Sequence, residues 1–308
     1  MRKHAEKLLG LLVVLAMLLP MCLVPAGATD ADATVYLSDS GNDSNDGLTA
    51  GTAVASLTKA YAVLADAMSA AGKSGDDDAY GKIVVDGTIT LATNNADYGD
   101  EHVYTVIVTG ATASDGFSLQ VQYPYNLLGP TLFENVTVRH DKDTSPQTEP
   151  AIRGDGYPVI IGAGVTTVPN TSTATTYWPS VFGGKTTAGT YDSSVSVASG
   201  DWYRIVGGTR GGAQTGDVSV TMTGGTAKFA VGASFNAASA GNITIDLSNC
   251  TVANAYGAAI SDHTPSSNAT LTLTNVTVTG GVYGGPGKNR NLGGTTSQLF
   301  VDKEIDKH

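Results

Sequence analysis

The stretch YLSDSGNDSNDGLTAGTAVASLTKA, residues 36–60, decides how the chain begins to fold. Residues 35–37 read as a strand, and residues 39–47 are a dense run of Gly, Asn, Asp and Ser, whose side chains hydrogen-bond local backbone and tolerate left-handed conformations. The apolar residues that follow recur at steps of three and four, which predicts one apolar face of a helix. They are Val54, Leu57, Tyr61, Leu64 and Met68. We therefore expect a strand, a tight polar loop and a short amphipathic helix.

The same stretch resembles the entrance of right-handed parallel β-helix proteins of the pectate-lyase-like superfamily. In those proteins a Tyr-x-Ser-x-x-Gly-x-Asp-x-Asn-Asp-Gly loop leads into a Pro-Phe-x-Ser/Thr-Leu-x-x-Ala helix that caps the first coil. The matching residues here are Tyr36, Ser38, Gly41, Asp43, Asn45, Asp46, Gly47, Ser56, Leu57 and Ala60. Ala53-Val54 stands in place of Pro-Phe. The resemblance implies an all-β fold, a single-stranded right-handed parallel β-helix with an N-terminal capping α-helix, and it carries no catalytic residue.

The start of the chain has the pattern of a secretory signal peptide. Three basic residues precede an apolar run over residues 8–24, and small residues follow it as a cleavage site. An uncleaved anchor helix is the alternative, because the run is nearly long enough to span a bilayer. We predict a signal peptide at 1–28, a strand, loop and capping helix at 29–80, and β-helix coils at 81–308. Such a protein would be secreted or displayed at the cell surface.

The exported chain is expected to be strongly acidic. Without residues 1–28 it keeps 14 basic and 27 acidic residues, a formal charge of −13 against −11 for the whole sequence. This charge disfavours nucleic acid as a partner, and no further stretch is apolar enough to cross a membrane. Cys22 leaves with the signal peptide, so Cys250 has no disulfide partner and is expected to be a buried strand residue.

The second half of the chain repeats a pattern of short strands. Runs that begin at Val195, Val218, Ile243 and Leu271 start 23, 25 and 28 residues apart, and a second short run follows each. Gly-Gly pairs mark the corners. A period of roughly 20 to 30 residues with several strands per period is what stacked β-coils require. An antiparallel sandwich or barrel is the alternative, but the Asn-Gly and Asp-Gly hairpin turns that it predicts are sparse.

A second repeated motif is Asn-x-Thr-Val, at Asn135, Asn249 and Asn275. An Asn at one place in successive coils can stack, with each amide bonded to the coils above and below, while it tolerates the corner conformation. The last two lie 26 residues apart, close to one coil. We predict a structural Asn ladder at the corners.

A search for catalytic groups is negative. The resemblance implies that an enzyme would need an acidic cluster with a Lys or Arg base, or two carboxylates that flank the scissile bond, on neighbouring coils. The strands of the clearest repeats carry Asp246 alone. The region richest in functional groups, where neighbouring prolines indicate an inserted loop, holds Arg139, His140, Asp141, Arg153 and Asp155. No zinc spacing or complete EF-hand loop is present, so we predict no catalytic residue, metal site or cofactor.

Aromatic residues on the middle coils offer a carbohydrate-binding site, because sugars stack on flat apolar faces. Trp202 follows a Ser-Gly-Asp corner and is expected to be partly exposed. The candidate residues are Tyr177, Trp178, Trp202, Tyr203, Arg204 and Arg210.

Three functions remain open from the sequence. We favour a non-enzymatic, exported domain that binds a polysaccharide or cell-surface glycan in the manner of an adhesin. The alternatives are a polysaccharide lyase, whose site is spread over several coils, and a structural stalk that is a piece of a longer surface protein.

Overall fold

The computed structural model describes residues 30–91, 99–141, 150–170, 176–185, 187–234, 241–259, 268–284 and 296–305. The predicted signal peptide lies outside these ranges. Within them every pairing between strands is parallel, and the strands stack into successive coils. The predicted parallel β-helix is therefore confirmed, and the antiparallel alternative is wrong. No helix in the described ranges is long and apolar enough to cross a membrane.

Face 1 of the coil is the most regular. Its strands are β1 (Ala33–Ser38), β2 (Tyr80–Asp86), β4 (Thr105–Gly110), β7 (Thr131–Glu134), β10 (Val159–Ile161), β13 (Ser193–Val197), β15 (Val218–Met222), β17 (Ile243–Ser248), β19 (Ala269–Val278) and β21 (Thr296–Ile305). Alternate residues point inward, so aligned apolar side chains stack from coil to coil. One such row is Val195, Val220, Ile245 and Leu271, all buried.

Two further faces close the coil. Face 2 contains β3 (Thr88–Leu91), β5 (Gly116–Leu119), β8 (Thr137–His140) and β11 (Thr166–Val168), and face 3 contains β6 (Tyr125–Asn126), β9 (Ala151–Arg153), β12 (Ser180–Phe182) and β20 (Val282–Tyr283). In the later coils single strands serve both faces: β14 (Asp201–Val206), β16 (Thr226–Val231) and β18 (Thr251–Tyr256). Asp201 N donates to Thr167 Oγ1 (2.8 Å) beside face 2, whereas Val206 pairs with Phe182 on face 3.

The polar loop and the helix lie over the first coil, as expected. A 3₁₀ turn (Ala50–Thr52) precedes helix α1 (Leu57–Ala70), which begins where Ser56 Oγ accepts a hydrogen bond from Lys59 N (3.1 Å). Val54 was expected on the helix, but it pairs with Leu37 of β1 instead. The apolar residues of α1 pack on β1 and β2, so the helix covers the open end of the apolar interior.

The corners between faces need special backbone conformations. Asn135, Asn249 and Asn275 all have left-handed φ angles, of 47°, 48° and 52°. At the corner after face 3, a Cβ atom on Gly207 would lie 2.5 Å from Gly232 O of the next coil. Only glycine allows the coils to approach this closely, which explains the repeated glycines there. Cys250, just after the second Asn, is buried and unpaired, as predicted, but it lies at the corner between β17 and β18 and not on a strand.

Candidate functional site

Face 3 carries apolar side chains on its outer surface as well as on its inner one. Neighbouring strand residues point to opposite sides, so Ile205 joins the interior while Val206 points outward. The outward residues form a second apolar cluster, separate from the main core. Its buried members are Ala151, Phe182, Val206, Val231 and Tyr256. The outer side of face 1 differs, because its aligned positions include Ser196, Thr221 and Thr272.

A row of aromatic rings, here called the aromatic column, follows this surface along the helix axis. Its members are Tyr177, Tyr203, Phe229, Tyr256 and Tyr283, with successive ring centroids 5.0, 5.8, 6.5 and 4.7 Å apart. The last two rings are parallel within 7°. Because the rings contact one another, much of their stacking surface is used inside the column, which makes it a rigid support.

Five cations, here called the basic strip, lie beside the aromatic column and at the corner that follows it. They are Arg153, Lys185, Arg204, Arg210 and Lys228, which are all the basic residues between positions 150 and 234. The Arg204 guanidinium lies 4.7 Å and the Lys228 ammonium 4.8 Å from the ring centroid of Tyr203. The π face of that ring thus holds two positive charges side by side.

Burial and mutual repulsion both act on these cations. Burial, and then the charge of Arg210, lower the pKa of Arg204 to about 10 and also lower the pKa of Arg153. Cations whose charged form is disfavoured by desolvation and by like charges are stabilised when an anion comes near. An anion placed near Arg153 and Arg204 would offset both effects.

Four cations of the basic strip form no direct ion pair with another described residue. They are Arg153, Lys185, Arg210 and Lys228. Arg153 Nε is buried and has no hydrogen-bond partner among the described residues. These cations stand on a protein whose formal charge is −11.

The structure brings together four of the six residues predicted to bind carbohydrate. Tyr177, Tyr203, Arg204 and Arg210 meet at face 3. Trp178 is half-buried just before β12. The expectation that Trp202 is partly exposed is wrong: its side chain is 1% exposed, and its Nε1 donates to Ser199 O (2.9 Å). Strand alternation turns Trp202 inward where Tyr203 turns outward.

The second candidate cluster is divided between faces. Arg139 lies on face 2 and donates to Ser114 O (2.8 Å), and Asp141 is buried and accepts from Gln120 Nε2 (2.9 Å). His140 is buried, with its Nδ1 3.0 Å from Tyr177 O. Arg153 instead belongs to the basic strip on face 3, close to Asp155.

Sequence reasoning missed Lys185, Lys228, Phe229, Tyr256 and Tyr283. The signal for the rings was present, because members of the aromatic column are 26, 26, 27 and 27 residues apart, which is one coil. A search for aromatic residues at the coil period would have found them. The cations have no such period, since they come from different positions in each coil.

The Asn residues differ in their contacts. Asn275 Nδ2 donates to Asn249 Oδ1 across neighbouring coils (2.7 Å). Asn135 faces a glycine instead, because a Cβ on Gly164 would lie 2.2 Å from Asn135 Oδ1. The described residues thus contain one Asn–Asn step of the predicted ladder.

Carboxylates of the N-terminal loop are used to hold the loop itself. Asp43 Oδ1 accepts from Ala55 N (2.8 Å) and Ser56 N (2.9 Å), and Asp46 Oδ1 accepts from Thr52 Oγ1 (2.6 Å). These bonds tie the loop to the start of α1 and account for its Asp-rich sequence without a bound ion.

Comparison of the chain with protein-family models, with curated proteins and with solved structures finds no significant match. The fold and the site together define a class, a parallel β-helix with an aromatic and basic outer face.

Proposed function

We propose that this protein is an exported β-helix domain that binds a negatively charged glycan along face 3. The single observation that carries the proposal is the gathering of five cations in the basic strip, four of them without a direct ion pair to another described residue, on an otherwise acidic protein. Export is supported by the signal-peptide pattern of residues 1–28.

The chemistry of the strip fits carboxylate or sulfate groups on a linear polymer. Guanidinium groups bind such anions through two parallel hydrogen bonds, and the rigid aromatic column beneath lowers the entropy lost on binding. From Arg153 on β9 to Lys228 on β16 is three coil steps, or about 14 Å at the usual spacing of strands. This length matches a few sugar units laid parallel to the helix axis.

Surrounding charge selects against wide polyanions. The formal charge of the whole chain is −11, although five cations lie together in the strip. An acidic protein repels the dense phosphates of a duplex nucleic acid, whereas a single glycan chain needs to contact only the strip. A glycan is therefore the better partner.

The proposal is tested by binding to dextran sulfate, polygalacturonate and neutral dextran. We expect Arg210→Gln combined with Lys228→Gln to weaken binding of both acidic polymers by about tenfold or more, because each lost charge removes a favourable interaction. Lys59→Gln combined with Lys82→Gln is the matched control, since it removes the same charge from α1 and from face 1. Equal losses in both double variants would show that binding does not depend on face 3.

The same incubations test the alternatives. Ultraviolet absorbance from unsaturated ends, together with new reducing ends, would identify a polysaccharide lyase and overturn a purely binding role. Failure to retain any polymer, with no product, would leave a structural stalk.

A further inference from the structure

A turn at residues 154–157 fixes a carboxyl group at one end of the basic strip. Asp155 is half-buried and has a left-handed φ of 53°. The backbone on either side is tied to the next coil, because Gly154 N donates to Phe182 O (2.7 Å) and Gly156 N donates to Gly183 O (2.9 Å). The backbone that carries Asp155 is therefore held against the next coil, beside the cations of the basic strip.

Titratable groups from several elements surround this turn. Lys185 lies over it, since a Cβ on Gly156 would be 3.2 Å from Lys185 Cε, and Tyr191 Oη accepts a hydrogen bond from Lys185 N (2.9 Å). Arg153 is the last residue of β9, two positions before Asp155, and the charge of Arg210 lowers the pKa of Arg153. Glu101, from the segment before β4, hydrogen-bonds Tyr157.

Opposing influences act on the Asp155 carboxyl. Burial raises its pKa above the ordinary value of 3.8, Lys185 and Arg153 lower it, Glu101 raises it, and the net shift is upward. No Lys or Arg nitrogen of the described residues lies within 4.0 Å of the carboxyl, because the only ion pair there is Lys73–Asp76. Asp155 thus reduces the positive potential of the strip without forming a direct pair with it.

We propose that Asp155 is a specificity-determining residue that sets how strongly the basic strip attracts anionic ligands. Ionised Asp155 weakens the binding of an anion, and protonated Asp155 no longer does so. The inference rests on the proposed function and assigns its regulation. It predicts that a sulfated glycan, whose own charge does not titrate, is held more tightly in an acidic environment than at neutral pH.

The size of the effect follows from Coulomb's law. A unit charge several ångströms from the ligand, at the effective dielectric constant of a protein surface, changes an equilibrium by about tenfold or more. Removing the charge of Asp155 is therefore expected to tighten anion binding by about tenfold. The sign is fixed, because an ionised carboxylate always opposes an anionic ligand.

The experiment uses dextran sulfate, whose charge does not titrate, at constant ionic strength between pH 7.5 and 4.5. We expect the affinity of the unmodified chain to rise as pH falls. Asp155→Asn should bind about tenfold more tightly at pH 7.5, and this advantage should shrink as the pH falls and Asp155 is protonated. The other carboxylates titrate in both proteins, so the ratio of the two affinities, and not either curve alone, reports Asp155. Asn tolerates the left-handed conformation, so the turn is kept. Asp66→Asn is the matched control, as an exposed carboxylate on α1, and should behave like the unmodified chain.

The outcomes separate the two proposals. This inference alone would be overturned if dextran sulfate binds at face 3 of both proteins and the unmodified chain and Asp155→Asn have equal affinities and parallel pH curves. A polymer that fails to bind at every pH, to the unmodified chain and to Asp155→Asn, would overturn the proposed function and this inference with it.

Discussion

Side-chain direction decides what each residue of the Trp202-Tyr203-Arg204 triplet does. Trp202 fills the interior and hydrogen-bonds Ser199 O, whereas the ring of Tyr203 lies under the Arg204 guanidinium on the outer surface. Three adjacent residues, all first assigned to one candidate binding site, therefore serve two purposes. Trp202 stabilises the coil, and its two neighbours contribute to the site.

Replacing Trp202 with Ala should cost about 3–5 kcal/mol in the free energy of unfolding, because it leaves a large cavity in a packed core. Glycan affinity should stay unchanged at temperatures where the variant is folded. Denaturant unfolding measures the first quantity, and titration with dextran sulfate measures the second. Thr221→Ala on the outer side of face 1 is the control and should change stability by less than about 0.5 kcal/mol. Lost binding with unchanged stability would contradict this assignment.

Among the elements of the coil, the corners are where residue type is most restricted. Asn249 and Asn275 occupy left-handed conformations in neighbouring coils and share a side-chain hydrogen bond of 2.7 Å. An Asn thus satisfies two requirements at once, because it tolerates the backbone angle and links the coils. Elsewhere glycine meets the first requirement alone, as at Gly225, with φ of 77°.

Two variants of Asn275 separate these requirements. Asn275→Gly keeps the backbone conformation and loses the hydrogen bond, so it should cost about 0.5–1.5 kcal/mol. Asn275→Ala loses both and should cost about 1–2 kcal/mol more than the glycine variant. Unfolding in denaturant measures both values. Equal costs would show that the left-handed angle contributes nothing at this corner.

At the scale of the whole molecule, five of the 17 basic residues of an acidic protein lie together in the basic strip. The formal charge is −11, yet all five basic residues between positions 150 and 234 belong to the basic strip. Such a distribution attracts a narrow anionic chain to one place and repels it elsewhere. Binding is then expected to depend on ionic strength more than on ring stacking.

Affinity for dextran sulfate should fall steeply between about 50 and 500 mM salt, because counterions are released and the charges are screened. The Arg210→Gln, Lys228→Gln double variant should show a shallower dependence, since two cations no longer take part. Affinity measured in a salt series gives both slopes. Binding that is insensitive to salt would mean that rings and hydroxyl groups carry the interaction instead.

The sequence by itself determined the architecture. Apolar residues at every second position, a period near 25 residues and corner Gly and Asn residues are local requirements of a stacked coil, so they can be read without knowing which strands pair. The polar loop, the capping helix and the buried Cys250 were predicted for the same reason. The start of α1 was misplaced because the Ser56 cap, rather than the apolar spacing, decides where the helix begins.

Only the tertiary structure decided the site. Arg153, Lys185, Arg204 and Lys228 come from successive coils and are far apart in sequence, and stacking brings them to one face beside the aromatic column. The inward turn of Trp202 and the position of Asp155 beside Lys185 were equally hidden. The sequence period fixes how a coil repeats. The position of the bends within each coil determines which side chains face outward together, and packing between coils sets those bends.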